Sequence, residues 1–291
     1  VKSAWLEKKP MSERRLIAIA QGTPASDGAG VKLLRVIGTQ ELDHIDPFLL
    51  LDEFRNEDSK DYVAGFPDHP HRGFETVTYM MQGRMRHKDS VGNSGLLTDG
   101  ALQWMTAGRG IIHSEMPEQT DGLIWGYQLW VNLPARDKMT APRYQDIPPE
   151  AIPVTEAGGA AVKVLAGEWN GVKGAADTLW PIEYLDVTLE PGAEFAKEVP
   201  EGHSLLAFVY RGALLAESEE GEHEIAQRHL GVFTREGAGL TLKAGNEGAG
   251  FLLLSGQPIG EPVARMGPFV MNSREELMQA VQDYQAGRLA T

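Results

Sequence analysis

Apolar and polar residues alternate over short spans along most of the chain, and turns rich in glycine or proline cut the spans apart. From Ile124 to Leu133 the alternation is regular: Trp125, Tyr127, Leu129 and Val131 share one side, Ile124, Gln128 and Trp130 the other. Phe74 to Met81 is rich in β-formers, with Thr76, Val77, Thr78 and Tyr79, and Gln82-Gly83 ends it. Ile17–Ala20 and Val31–Gly38 read as two strands around a polar turn at residues 22–30. The run from Pro47 to Phe54 is apolar enough for a fully buried strand. Further strands are predicted at Arg84–Ser90, Ser94–Thr98 and Ala101–Thr106, the last after an Asp99-Gly100 hairpin signal. Short strands at this spacing imply an all-β fold, a barrel or jelly-roll.

The texture changes at Pro134, Pro142, Pro148, Pro149 and Pro153, a predicted linker. Beyond it strands resume at residues 162–166, 182–190, 204–210, 229–234, 239–242 and 250–255, a second barrel of the same kind. The expected division is a first barrel over 1–141 and a second over 142–291. One helix closes the chain. Ser273 and Glu276 form a capping box. Leu277, Ala280, Val281 and Tyr284 then recur at helical spacing, and Gly287 is a stop. The first ten residues carry no pattern, and Met11 is a plausible native start.

Composition narrows the function. A chain of 291 residues can bury its cores without disulfides, and the absence of cysteine removes thiolate ligands and nucleophiles. With 27 basic against 41 acidic residues, the net charge of −14 disfavours direct binding to nucleic acid. No run reaches the roughly 20 apolar residues of a membrane span, and no signal-peptide pattern opens the chain. A cytoplasmic protein with no membrane association is the expectation.

The chemistry concentrates in two stretches. His69 and His71 are two apart, with Glu75 four residues on; His113 and Glu115, after the Gly108/Gly110 turn, are again two apart. Strand residues i and i+2 share a face, so two such pairs brought together can offer one metal ion three imidazoles and a carboxylate. Pro70 stiffens the first pair. Spacing leaves two candidates for the carboxylate. Glu75 shares parity with His69 and His71, and it suits equally a supporting role or an ion pair with Arg72 or Arg109. His87 reads as structural or surface. His203, His223 and His229 lack an i+2 partner. Trp104, Trp125 and Trp130 suit a core, or the wall of a pocket for a planar ligand. Three histidines with an open position would suit zinc hydrolysis. A fourth protein ligand fits an octahedral ion better, which favours iron, manganese, nickel or cobalt.

These residues resemble the cupin superfamily and, within it, the pirin family. Gly65 with His69, His71 and Glu75 is similar to the first cupin motif with a shortened gap. Residues 100–113 are similar to the second, with Thr106 where proline is usual and His113 later than usual. The strings at 69–79, 103–115, 128–134 and 261–276 match the family as well, so the resemblance spans nearly the whole chain. It implies two cupin barrels, with a metal, most often Fe(II), in the first. Mn, Ni, Co, Cu or Zn are alternatives. The ligands it implies are His69, His71, His113 and Glu115, with Glu75 behind them, and the second barrel is implied to be metal-free. Some pirins resemble quercetin 2,3-dioxygenases. The implied activity is therefore ring cleavage of a flavonol or similar enolic aromatic with O2, with Glu115 accepting the hydroxyl proton. The resemblance also implies an alternative, an iron-dependent regulator that binds a protein partner without catalysis. Zinc hydrolases and sugar isomerases occur among cupins too.

Overall fold

The structure is a computed structural model that describes residues 12–290. The N-terminal ten residues and the question of Met11 as a start lie outside the described residues. The chain forms two compact units. One gathers residues through Ala20 with Val154–Lys163 and Glu183–Ser255; the other gathers Gln21–Pro153, Val164–Ile182 and Gly256–Thr291.

The first strand, β1 (Leu16–Gln21), belongs to the smaller unit, and ten strands of the larger unit's two main sheets follow in order: β2 (Thr23–Asp27), β3 (Val31–Ile37), β4 (Phe48–Asn56), β5 (Phe66–His71), β6 (Phe74–Gln82), β7 (Met85–Asp89), β8 (Ser94–Leu97), β9 (Leu102–Thr106), β10 (Ile111–Pro117) and β11 (Ile124–Asn132). With β12 (Arg143–Ile147), these make a seven-stranded sheet in the order β12-β9-β6-β11-β4-β3-β2 and a four-stranded sheet in the order β5-β10-β7-β8. One apolar cluster joins the two sheets: Val31, Phe54 and Met80 from the first, Met85 and Leu97 from the second, with Tyr62 between strands.

Several elements differ from the pattern-based expectation, β2, β12 and β5 among them, and the strands expected at 239–242 and 250–255 are one strand, Gly239–Gly256. Residues 22–30 hold a strand, β2, paired with β3 from Thr23↔Arg35 to Asp27↔Val31. It lies at the sheet edge with its side chains mostly exposed, so no alternation marks it. The proline-rich stretch likewise carries β12, which pairs with β9 from Arg143↔Thr106 to Ile147↔Leu102. β5 is a strand in spite of Pro67 and Pro70. It sits on the edge of its sheet, where a missing N–H costs no ladder bond on the open side.

The terminal helix α1 (Arg274–Gln285) has the capping box in full: Ser273 Oγ accepts from Glu276 N, and the Glu276 carboxylate accepts from Ser273 N at 3.0 Å. Leu277 and Ala280 bury against Phe269, Met271 and Leu289, with Ile112 of β10 packed alongside. This helix therefore groups in space with the barrel that precedes the proline-rich stretch. Arg72 extends the tie, donating Nη1–H to Asp283 at 2.9 Å.

The smaller unit is a nine-stranded sheet in which β1 lies at one edge beside the strand His229–Phe233. Its centre is two long strands, Ser204–Ser218 and Gly239–Gly256. Buried Arg14 donates to the carbonyls of Pro200, His203 and Thr234 and so ties the N-terminal segment down. Among the described residues, no helix is long and apolar enough to cross a membrane.

Candidate metal centre

β5 and β10 are antiparallel neighbours, and their register sets His113 directly opposite His69, with Ile111 opposite His71. All three imidazoles therefore point to one face. Their candidate ligand atoms lie within 4.8 Å of one another. Ring centroids are 4.4 Å apart for His69–His113, 4.7 Å for His69–His71 and 5.1 Å for His71–His113.

The turns that carry these strands are fixed to each other. The N–H of Gly73 donates to the carbonyl of Gly108 at 2.8 Å, and Arg72 Nε donates to the carbonyl of Arg109. Gly73 has φ 91° and Gly108 φ 52°, a left-handed backbone that glycine adopts without strain. A Cβ at Gly73 would also collide with the carbonyl of Val270.

The imidazoles fit a metal ion. His69 Nδ1 is 2.8 Å from the Pro67 carbonyl, which fixes the proton on that nitrogen and leaves the Nε2 lone pair available. His113 is fully buried with neither ring nitrogen hydrogen-bonded, and His71 Nδ1 is in the same position. Each such orphan costs about 1–3 kcal/mol, which an ion accepting the lone pair would offset. Burial, and then His69, push His71 well below the ordinary imidazole range. Burial and the two neighbouring imidazoles do the same to His113. Both are neutral at pH 7, the form that ligates a metal.

Glu115 follows His113 on the same face of β10, after a register shift between the two. It lines the same cavity as His69 and His71, and Thr78 Oγ1 donates to its Oε1 at 2.9 Å. Thr78 Oγ1 also lies 2.7 Å from Gln128 Oε1. Glu75 goes elsewhere. It is fully buried in the sheet, accepts from Thr106 Oγ1 at 2.7 Å, and burial raises its carboxyl pKa. It is not among the residues that line the cavity. Arg72, one of its possible ion-pair partners, engages Asp283 instead.

His87 is buried opposite Glu115 on β7, with Nε2 2.8 Å from Asp146 Oδ2 and its ring stacked on Tyr144. His203 lies in the other unit, near the side chain of Ser255 at 3.5 Å. Among the described residues, the three-histidine group is the one cluster arranged to hold a metal. Trp104 is core, whereas Trp130 stands at the cavity wall.

The cavity holds about 620 Å³, a size that accommodates a small planar molecule. Its walls include Leu33, Leu50, Phe54, Met85 and Trp130 together with His69, His71 and Glu115, while His113 is not among the residues that line it. Among its further polar groups are Thr78, Gln128, Arg265 and the cross-strand pair Arg35 and Asp52. Arg35 grips Asp52 with two bonds, Nε to Oδ1 at 2.9 Å and Nη2 to Oδ2 at 2.8 Å. The signal for that pair was present in the chain: Asp52 interrupts the apolar run of β4, where an unpartnered charge would be costly.

The profile of the Pirin family matches residues 30–131, and that of the Pirin C-terminal cupin domain matches residues 184–290. A protein of Pseudomonas aeruginosa that bears the name "Putative quercetin 2,3-dioxygenase" is 50% identical over 285 residues, covering 95% of this chain and 98% of that one. A pirin-like protein of Caulobacter vibrioides is 49% identical over 285 residues, covering 96% and 100%. The crystal structure of quercetin 2,3-dioxygenase from Acinetobacter baumannii superposes with a TM-score of 0.87 at 35% identity, over 96% of this chain and 99% of that one.

Proposed function

The chain belongs to the pirin family of two-domain cupins, and from that premise we propose that it is a metal-dependent dioxygenase of the quercetin 2,3-dioxygenase kind. The observation that carries the reading is the convergence of three imidazoles, two of which, His69 and His71, line an apolar cavity together with the Glu115 carboxylate. The relatives named for that activity support it.

In this reading His69, His71 and His113 hold the ion, and Glu115 completes a donor set of three nitrogens and one oxygen. Such a set suits Fe(II) and leaves room for a chelating substrate. The chemistry a bound metal would supply there is acidification of the enolic hydroxyl of a flavonol and activation of dioxygen beside it. Overall, the flavonol takes up one O2, the heterocycle opens and one carbon leaves as CO. The remaining work belongs to the protein. Glu115 is the proposed acceptor of the substrate hydroxyl's proton, and Thr78 holds that carboxylate by its Oε1. Phe54, Leu50 and Trp130 offer apolar surface to the rings and exclude water.

The test is direct. Protein loaded with Fe(II) without oxygen is mixed with aerated quercetin, and O2 consumption and CO release are followed together. The expected result is equimolar uptake and release, lost in Glu115→Ala. Metal-loaded protein that binds quercetin yet shows neither would overturn the reading.

A further inference from the structure

Arg265, on the short strand Ala264–Met266, lines the cavity and lies over Trp130 with Cζ 4.8 Å from the ring centroid. Among the described residues its hydrogen-bond partner is the Leu49 carbonyl, 3.3 Å from Nη1, and no carboxylate stands within ion-pair distance. The other cation of the wall is differently placed. Arg35 holds Asp52 by two bonds and Asp27 by a third at 2.8 Å, so these two carboxylates are committed to one guanidinium. Asp68, the remaining acid of the wall, is exposed to solvent. Arg265 is therefore the donor-rich group left facing the cavity.

Trp130 fixes its position. The indole packs against Phe74 with centroids 4.4 Å apart and meets the His71 ring at 5.3 Å in a T-shaped contact. The contact holds the cation over the indole, one of its N–H donors goes to the Leu49 carbonyl, and a planar guanidinium fork matches a carboxylate. One indole thus separates the guanidinium from the metal-binding end, a spacing that a fused aromatic system can bridge.

We propose that Arg265 sets substrate specificity, anchoring the anionic end of an aromatic that carries a carboxylate or similar planar oxyanion. The opposite end of that molecule points to the imidazoles. The inference deepens the dioxygenase reading and rests on it only for what happens at the reacting end.

The experiment compares 2-naphthoate with its neutral methyl ester by calorimetry, on anaerobic Fe(II)-loaded protein and again after chelator treatment. Wild type, Arg265→Gln and Arg265→Lys are tested, with thermal unfolding to confirm that each is folded. Arg265 is itself an exposed side chain, so wild type is expected to prefer the acid by about two- to fivefold, the value of an ion pair open to solvent. Arg265→Gln abolishes the preference and leaves ester affinity unchanged. Arg265→Lys retains part of it, because the charge persists without the fork. Added salt weakens binding of the acid alone. Equal binding of the two probes, no binding of either, or a preference that survives in Arg265→Gln overturns the inference. Quercetin turnover is scored separately. Acid preference without turnover keeps Arg265 and rejects the reaction, whereas turnover without acid preference does the reverse.

Discussion

Replacing Thr78 by valine keeps the shape of a fully enclosed side chain and removes one hydroxyl. That hydroxyl donates to Glu115 Oε1 at 2.9 Å, in a position with almost no access to solvent. A hydrogen bond to a charged acceptor contributes about 1.5–3 kcal/mol, equivalent to roughly 10- to 100-fold in an equilibrium constant. Partners that orient a metal ligand show losses of about the same size, 10- to 100-fold. If Glu115 ligates the ion, Thr78→Val should weaken metal affinity by that factor. The assay is competition against a chromophoric chelator, with Fe(II) under argon and with Ni(II) as a redox-inert check. Thr78→Ser retains the hydroxyl and should stay near wild type. The double variant Thr78→Val/Glu115→Ala should bind metal no more weakly than Glu115→Ala alone, because Gln128, the hydroxyl's other neighbour at 2.7 Å, is not a proposed ligand. Unchanged affinity in Thr78→Val, or losses that add in the double variant, would refute the reasoning.

Other perturbations have equally definite outcomes. Lys138 is buried and donates to the carbonyls of Gly73 at 2.8 Å and Val270 at 3.0 Å and to Asn132 Oδ1 at 2.7 Å, so Lys138→Met leaves three acceptors unmatched. Urea unfolding should show a loss of about 3–5 kcal/mol, the cost of breaking a buried charged network. Gly95→Ala would thrust a methyl into the contact between His87 Nε2 and Asp146 Oδ2; a loss of about 1–3 kcal/mol is expected, with the Tyr144–His87 stack disturbed in near-ultraviolet dichroism. In metal-free protein, the folded pKa values of His71 and His113 lie below those of the unfolded chain. As pH falls below the ordinary imidazole range, the unfolded chain takes up protons that the folded site refuses, and stability drops by about 1.4 kcal/mol per pH unit for each group. His113→Gln should flatten that slope in denaturant titrations from pH 7 to 5. Chelation of the metal should lower the melting temperature of wild type and leave that of His113→Ala unchanged, since an ion that binds only the folded state stabilises it by mass action.

Local chemistry and long-range pairing were unequally legible in the chain. Ser273 and Glu276 announced α1 because a capping box is a contact between residues three apart, complete within one turn. The His69/His71 pair announced a shared face for the same reason. What placed His113 opposite His69 was the register of β5 on β10, a long-range fact that no local pattern encodes. β2 escaped notice because an edge strand with both faces near solvent has no hydrophobic period to show, and β12 because prolines crowd around it.

The two carboxylates show how far spacing alone could reach. Glu75 has the right parity with His69 and His71, but a turn at Gly73 separates β5 from β6, and parity does not carry through a turn. Beyond that turn Glu75 lies in the other sheet, bonded to Thr106, whereas Glu115 shares one continuous strand with His113 and faces the cavity. Arg35 and Asp52 teach a related lesson. Each was visible as a charge in an apolar strand, yet only the pairing of β3 with β4 converts two burial penalties into one bidentate contact. With Asp52 committed there, Arg265 is left as the cation of this wall with donors to offer a ligand. Cross-strand register thus acts twice in this unit: β5 on β10 brings the three imidazoles together, and β3 on β4 decides which guanidinium is left for the proposed substrate contact.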